Sequence, residues 1–115
     1  MLHRKRLALL RQKRGRAVYE ERLVILGRKS RAERFYKRRG AKIMEGVRYL
    51  LPPLAGGEPT EMILMLFPES KNETLSSTVV KNLITQIYRE LYGRPEDDAL
   101  LGTFVHDVGN PIKLI

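Results

Sequence analysis

The 115-residue chain has no cysteine and no tryptophan. Without thiols there are no disulfides and no thiolate metal sites. Its two histidines are too few to make a zinc site by themselves. No run approaches the roughly 18 apolar residues of a membrane span. Phosphate-cradling glycine loops are missing too, since neither Gly-x-x-x-x-Gly-Lys nor Gly-x-Gly-x-x-Gly occurs. Amides are scarce, with three Asn and two Gln beside 14 Arg.

The most telling shortage is of acids in the first part of the chain. Residues 1–48 hold 17 Lys/Arg against four Asp/Glu, while residues 49–115 hold five against nine. The net charge of +9 is therefore a first part at +13 and a remainder at −4. A charge split of this size exceeds what solubility asks for and points to a polyanionic partner for the basic part. Apolar content of 43% is that of a globular chain, enough for one modest core.

Arg28 to Arg48 is the densest basic stretch, with nine cations and two acids. Within it Ala32, Tyr36, Gly40, Ile43, Val47 and Leu51 recur at helical steps, with Phe35 and Leu50 in the same sector. Arg31, Arg34, Lys37, Arg38, Lys42 and Arg48 fall mostly on the other side. The spacing predicts a helix from Ser30, as N-cap of a box closed by Glu33, to Leu51 before Pro52-Pro53. Residues 16–26 read as a ragged helix, with Leu23–Leu26 as an alternative strand. Glu61–Phe67, an unbroken apolar run between Pro59 and Pro68, reads as a buried strand. Thr74 or Ser76 opens a helix over 75–92 carrying the stripe Val80, Ile84, Ile87 and Leu91, stopped by Gly93. Acids at 96–98 start a further segment, and the tail 112–115 reads as a short strand that could pair with 61–67.

The expected architecture is mostly α with a small β element: a basic N-terminal helical arm (1–29) on a small C-terminal α+β domain (30–115), with its core in residues 43–115. In composition alone this build resembles ribosomal proteins; no motif carries the likeness.

The basic stretch suits backbone recognition of nucleic acid, where Lys and Arg neutralise phosphates and release counterions. The residues expected to do so on the arm are Arg4, Lys5, Arg6, Arg11, Lys13, Arg14 and Arg16. On the following helix they are Arg28, Lys29, Arg31, Arg34, Lys37, Arg38, Arg39 and Lys42. Phe35 and Tyr36, amid these cations, either stack on unpaired bases or pack into the core, and the apolar sector favours packing.

The catalytic inventory is thin. His106 and Asp107 are adjacent, so on a helix they point about 100° apart. Ser76, Ser77 and Thr78 are explained by capping. These features give a non-enzymatic, cofactor-free RNA-binding component of a ribonucleoprotein, with RNA favoured over DNA and protein neighbours but no membrane. The expected location is the cytoplasm, with the mitochondrial matrix as an alternative because the start is arginine-rich and acid-poor. The rival expectations are a viral or phage assembly subunit docking on acidic protein surfaces and a small DNA-binding regulator.

Overall fold

The computed structural model describes residues 11–13, 16–19, 22–53, 55–68 and 71–115. Three strands, β1 (Arg11–Lys13), β2 (Arg16–Tyr19) and β3 (Arg22–Gly27), form an antiparallel meander. A nine-residue helix α1 (Lys29–Lys37) follows, then β4 (Lys42–Ile43), β5 (Tyr49–Leu51) and the eight-residue β6 (Thr60–Phe67). After β7 (Thr74–Leu75) come the long helix α2 (Ser77–Tyr92) and the one-turn helix α3 (Ala99–Gly102). A 3-10 turn at Val105–Asp107 and β8 (Ile112–Lys113) complete the regular structure of the described residues.

β6 has partners on both edges. β3 runs antiparallel along Ile63–Phe67, while on the other edge β5 takes Thr60–Met62 and β4 takes Met65–Leu66. Both faces of β6 are also covered, and strand alternation divides its side chains between two clusters. Ile63, Met65 and Phe67 join Leu23, Ile25, Ala41, Ile43 and Tyr36 on the α1 side. Met62, Leu64 and Leu66 join Val24, Leu26 and the α2 residues Val80, Leu83, Ile84, Ile87 and Tyr88 on the other. A strand buried on both faces has no need of polar residues, and this explains why EMILMLF is unbroken.

The fold is therefore mixed α/β, with three helices and two antiparallel sheets among the described residues, and the expectation of a mostly α protein is overturned. Two segments account for the difference. Arg16–Tyr19 and Arg22–Gly27 are strand, so the expected helical arm is instead a β-meander wherever it is described; Val24 and Ile25 also extend the core to residues before 43. The helix expected over 30–51 stops at Lys37. Gly40 adopts φ 91°, and the Gly40 N–H donates to Lys37 O (3.1 Å) while the Ala41 N–H donates to Tyr36 O (3.0 Å). That pair of bonds is a Schellman closure around a left-handed glycine. Tyr36 and Ala41, at the two ends of that closure, both belong to the cluster on the α1 side. Ile43, Leu50 and Leu51, read as the continuing apolar sector of the helix, pair as strand residues with Met65, Glu61 and Thr60 of β6. The start differs as well: Arg28 is the N-cap, without a side-chain cap bond, and Ser30 lies inside the helix.

The C-terminal half follows its sequence signals more closely. Ser76 Oγ accepts from the Val79 N–H (3.2 Å), and Gly93 closes α2 at φ 64°. Asp98 caps α3 by accepting from the Leu101 N–H (3.1 Å) and also holds Arg94 (3.1 Å). The tail does pair, but not with 61–67. β8 lies against β7, and Ile115 exchanges both backbone bonds with Ile43 at 3.0 and 2.9 Å.

An aromatic cluster anchors the core. Tyr49, Tyr88 and Phe104 are almost fully buried, with ring centroids 5.7–5.9 Å apart. The Tyr88 hydroxyl donates to the Leu50 carbonyl, whereas the Tyr49 hydroxyl is buried outside hydrogen-bond geometry with any partner, although Tyr92 and Tyr88 stand close enough to influence it. A desolvated, unbonded hydroxyl is unfavourable, whereas losing a bonded one strands its acceptor. Tyr49→Phe is thus expected to be neutral or stabilising by up to about 1 kcal/mol, and Tyr88→Phe to lose roughly 1–2 kcal/mol. Urea unfolding of both variants checks this; equal losses would mean that Tyr49 has a hydroxyl partner after all.

Burial, followed for Tyr49 by the neighbouring phenols and for Tyr88 by Asp98, pushes both phenols well above the usual value of 10. The folded state retains protons that the unfolded chain releases near pH 10. Their contribution to stability is full below about pH 10 and is lost as the pH rises beyond it. In an alkaline titration tyrosinate absorbance from Tyr49 and Tyr88 should appear only together with loss of circular dichroism. Ionisation of all five tyrosines near pH 10 with the fold intact would contradict this.

Candidate nucleic-acid interface

α1 lies on the sheet through Tyr36, which is half-buried and meets Phe67 edge-on at 6.3 Å. Fixing that side of the helix settles what the opposite side presents. Arg31, Arg34, Phe35 and Arg38 stand at i, i+3, i+4 and i+7, within an arc of about 100° at helical pitch. All four are exposed, as are Arg28, Lys37 and Arg39. Arg34 and Lys37 in the last turn also suit the negative end of the helix dipole, a structural benefit independent of any ligand.

Ion pairing decides whether these cations are already committed. Among the described residues the ion pairs are Arg48 with Glu61 (2.8 Å) and Arg94 with Asp98 (3.1 Å), so no described carboxylate pairs with Arg31, Arg34, Lys37, Arg38 or Arg39. Arg34 Nε reaches its own helix at Ser30 O (3.5 Å), and Arg39 donates to Phe35 O (2.8 Å). Their remaining donors are available to a ligand, and an arginine has five. Arg48, expected on the cationic side of a long helix, stands away from this group because the helix ends first.

Two shallow hollows meet at Phe35. One, of about 330 Å³, is lined by Arg31, Arg34, Phe35, Arg38 and Arg39; the other, of about 440 Å³, by Gly27, Arg28, Arg31, Phe35 and Tyr36. Among the described residues neither is lined by an acid. The Phe35–Tyr36 pair is split by the fold: Tyr36 packs inward and Phe35 is 50% exposed. Lys42 is half-buried on β4.

The arm residues are placed only in part. Arg4, Lys5, Arg6 and Arg14 lie outside the described residues. Arg11, Lys13 and Arg16 occupy register positions in β1 and β2: Arg11 opposite Val18, Lys13 opposite Arg16, and Val18 opposite Leu23. Lys29 is the first residue of α1.

A third hollow, of about 530 Å³, was not apparent in the sequence. Ile43, Met44, Val47, Ile63 and Ile115 line it together with Glu33, Glu45, Glu61 and Arg48. Its acids come from three separate segments, which the docking of α1 and the pairing of β4 and β5 with β6 bring together. No periodicity could have found them.

Among the described residues no group of three or more His, Asp or Glu is placed to hold a metal ion, and no helix is long and apolar enough to cross a membrane. His106 and Asp107 are both exposed in the 3-10 turn. No protein-family model matches the chain, and neither a curated protein nor a solved structure matches it.

Proposed function

We propose that this protein is a non-enzymatic nucleic-acid-binding component of a ribonucleoprotein, gripping phosphates through the outer face of α1, with RNA favoured over DNA. One observation carries the reading: Arg31, Arg34, Arg38 and Arg39 crowd one surface that no described acid lines, and none is paired with a described carboxylate. Such a patch repels itself until anions relieve it. Arginine's planar fork matches phosphate oxygens two at a time, and it also stacks on bases exposed in RNA loops.

A salt titration tests the reading. Binding of a fluorescent RNA oligonucleotide should weaken linearly in log–log form, with a slope of roughly −0.7 to −0.9 per phosphate neutralised. Affinity that stays flat between low and physiological salt rules the mechanism out.

The apolar hollow bordered by Glu33, Glu45 and Glu61 supports a second contact, with a basic protein neighbour in the assembly. If protein docking were the principal role, the purified chain would self-associate with no co-purifying nucleic acid and a low 260/280 nm absorbance ratio.

A further inference from the structure

We infer that Phe35, backed by Arg39, is a stacking platform for one unpaired base, so that the α1 face takes single-stranded or looped nucleic acid in preference to duplex. The inference rests on the phosphate-binding reading above and adds the class of strand that is bound.

Phe35 is 50% exposed, and among the described residues only Ile115, at 42%, is a comparably exposed large apolar side chain. It is not left over from a narrow core, because the next residue, Tyr36, takes the inward position. Its ring is also held in place. The Arg39 guanidinium carbon sits 3.8 Å from the ring centroid, and the same guanidinium donates to the Phe35 carbonyl at 2.8 Å. Tyr36 braces the ring edge-on at 4.9 Å. A ring fixed on two sides loses little freedom when a ligand arrives.

The surroundings identify that ligand. The hollow lined by Gly27, Arg28, Arg31, Phe35 and Tyr36 does not include Arg39, so the ring borders space that the guanidinium does not fill. Arginines bound this space, which disfavours an apolar or cationic occupant. A planar base linked to anionic phosphates fits both features, the base on the ring and the phosphates on Arg28, Arg31 and Arg34. In a duplex the bases are already paired and stacked, and the ring would gain nothing. In a single strand each base has a free face, and aromatic stacking of this kind is worth roughly ten- to a hundredfold in affinity.

The test compares an oligouridine RNA strand, the same-length DNA strand and a blunt RNA duplex of equal phosphate number, by fluorescence anisotropy with the full chain. The wild type should favour the strands over the duplex. Phe35→Ala should lose about tenfold on the strands, much less on the duplex, and keep the salt slope. Because the chain lacks tryptophan, Phe35→Trp supplies a single indole; its emission should be quenched by the strands and not by the duplex, with strand affinity kept. Equal binding of strand and duplex by the wild type, or indole emission of the Phe35→Trp variant that the strands leave unquenched, overturns the stacking inference while leaving phosphate binding in place. Failure of every oligonucleotide to bind the wild type overturns both.

Discussion

Replacing Arg31, Arg34 and Arg38 together with alanine is expected to lower RNA affinity on the order of a hundredfold near 0.1 M salt. It should also flatten the salt slope by about two to three units. The size follows from counterion release: each lost phosphate contact removes close to one unit of slope, and the contribution per contact grows as salt falls. The three side chains are exposed and make no ion pair with a described carboxylate. Removing them should leave folding nearly untouched, within about 0.5 kcal/mol for each. Anisotropy across a salt series, with thermal unfolding as control, checks both halves. An unchanged slope would mean that α1 is not the phosphate surface, whatever the overall affinity does.

The second large effect is on stability. Phe104→Ala is expected to destabilise the protein by about 3–5 kcal/mol and to lower Tm by roughly 15 °C. Phe104 is 1% exposed, and its ring lies 5.7 Å from both Tyr49 and Tyr88. These two partners come from β5 and α2, so the cavity left by truncation opens where a strand and a helix meet. Interiors pack near crystal density and relax only partly around such a void. Against a total stability of about 5–15 kcal/mol, this one ring is a large share. Urea unfolding measures it; a loss under about 1 kcal/mol would mean that the 104–108 segment does not seal the core. Phe35→Ala is the natural contrast, since its half-exposed ring has little core contact to lose and should leave stability nearly unchanged.

Individual elements show which signals were legible. α2 was readable because local and long-range preferences agree there: an apolar stripe on one face, a serine at the start and a glycine at the end. β6 was readable because breakers frame an apolar run too short for a buried helix. The apolar stripe overruns the end of α1 because Gly40 sits at a spacing that keeps the stripe in phase, while its left-handed backbone ends the helix. Residues 42–51 then satisfy their apolar side chains as strands against β6, and a run of ten residues carries no local mark of that partner. The same logic misplaced the first strands, where Leu23–Leu26 is too short for periodicity to decide between helix and strand. On the candidate interface, the cationic residues of α1 were visible in the sequence. The separation of Phe35 from Tyr36 was not, since both lie near the apolar sector.

The amino-acid sequence by itself determined that the first 48 residues are strongly cationic, that disulfides and thiolate metal sites are absent, and where α2 and β6 lie. Those are properties of composition, or of short-range pattern reinforced by caps and breakers. Only the tertiary structure decided that the described part of the basic segment pairs as strands on either side of α1, that α1 ends at Lys37, and that Phe35 faces outward among arginines. The reason is that β pairing and helix docking join residues far apart in the chain. The free energy of burying them on both sides of β6 outweighs the weak local preferences that a linear reading can see.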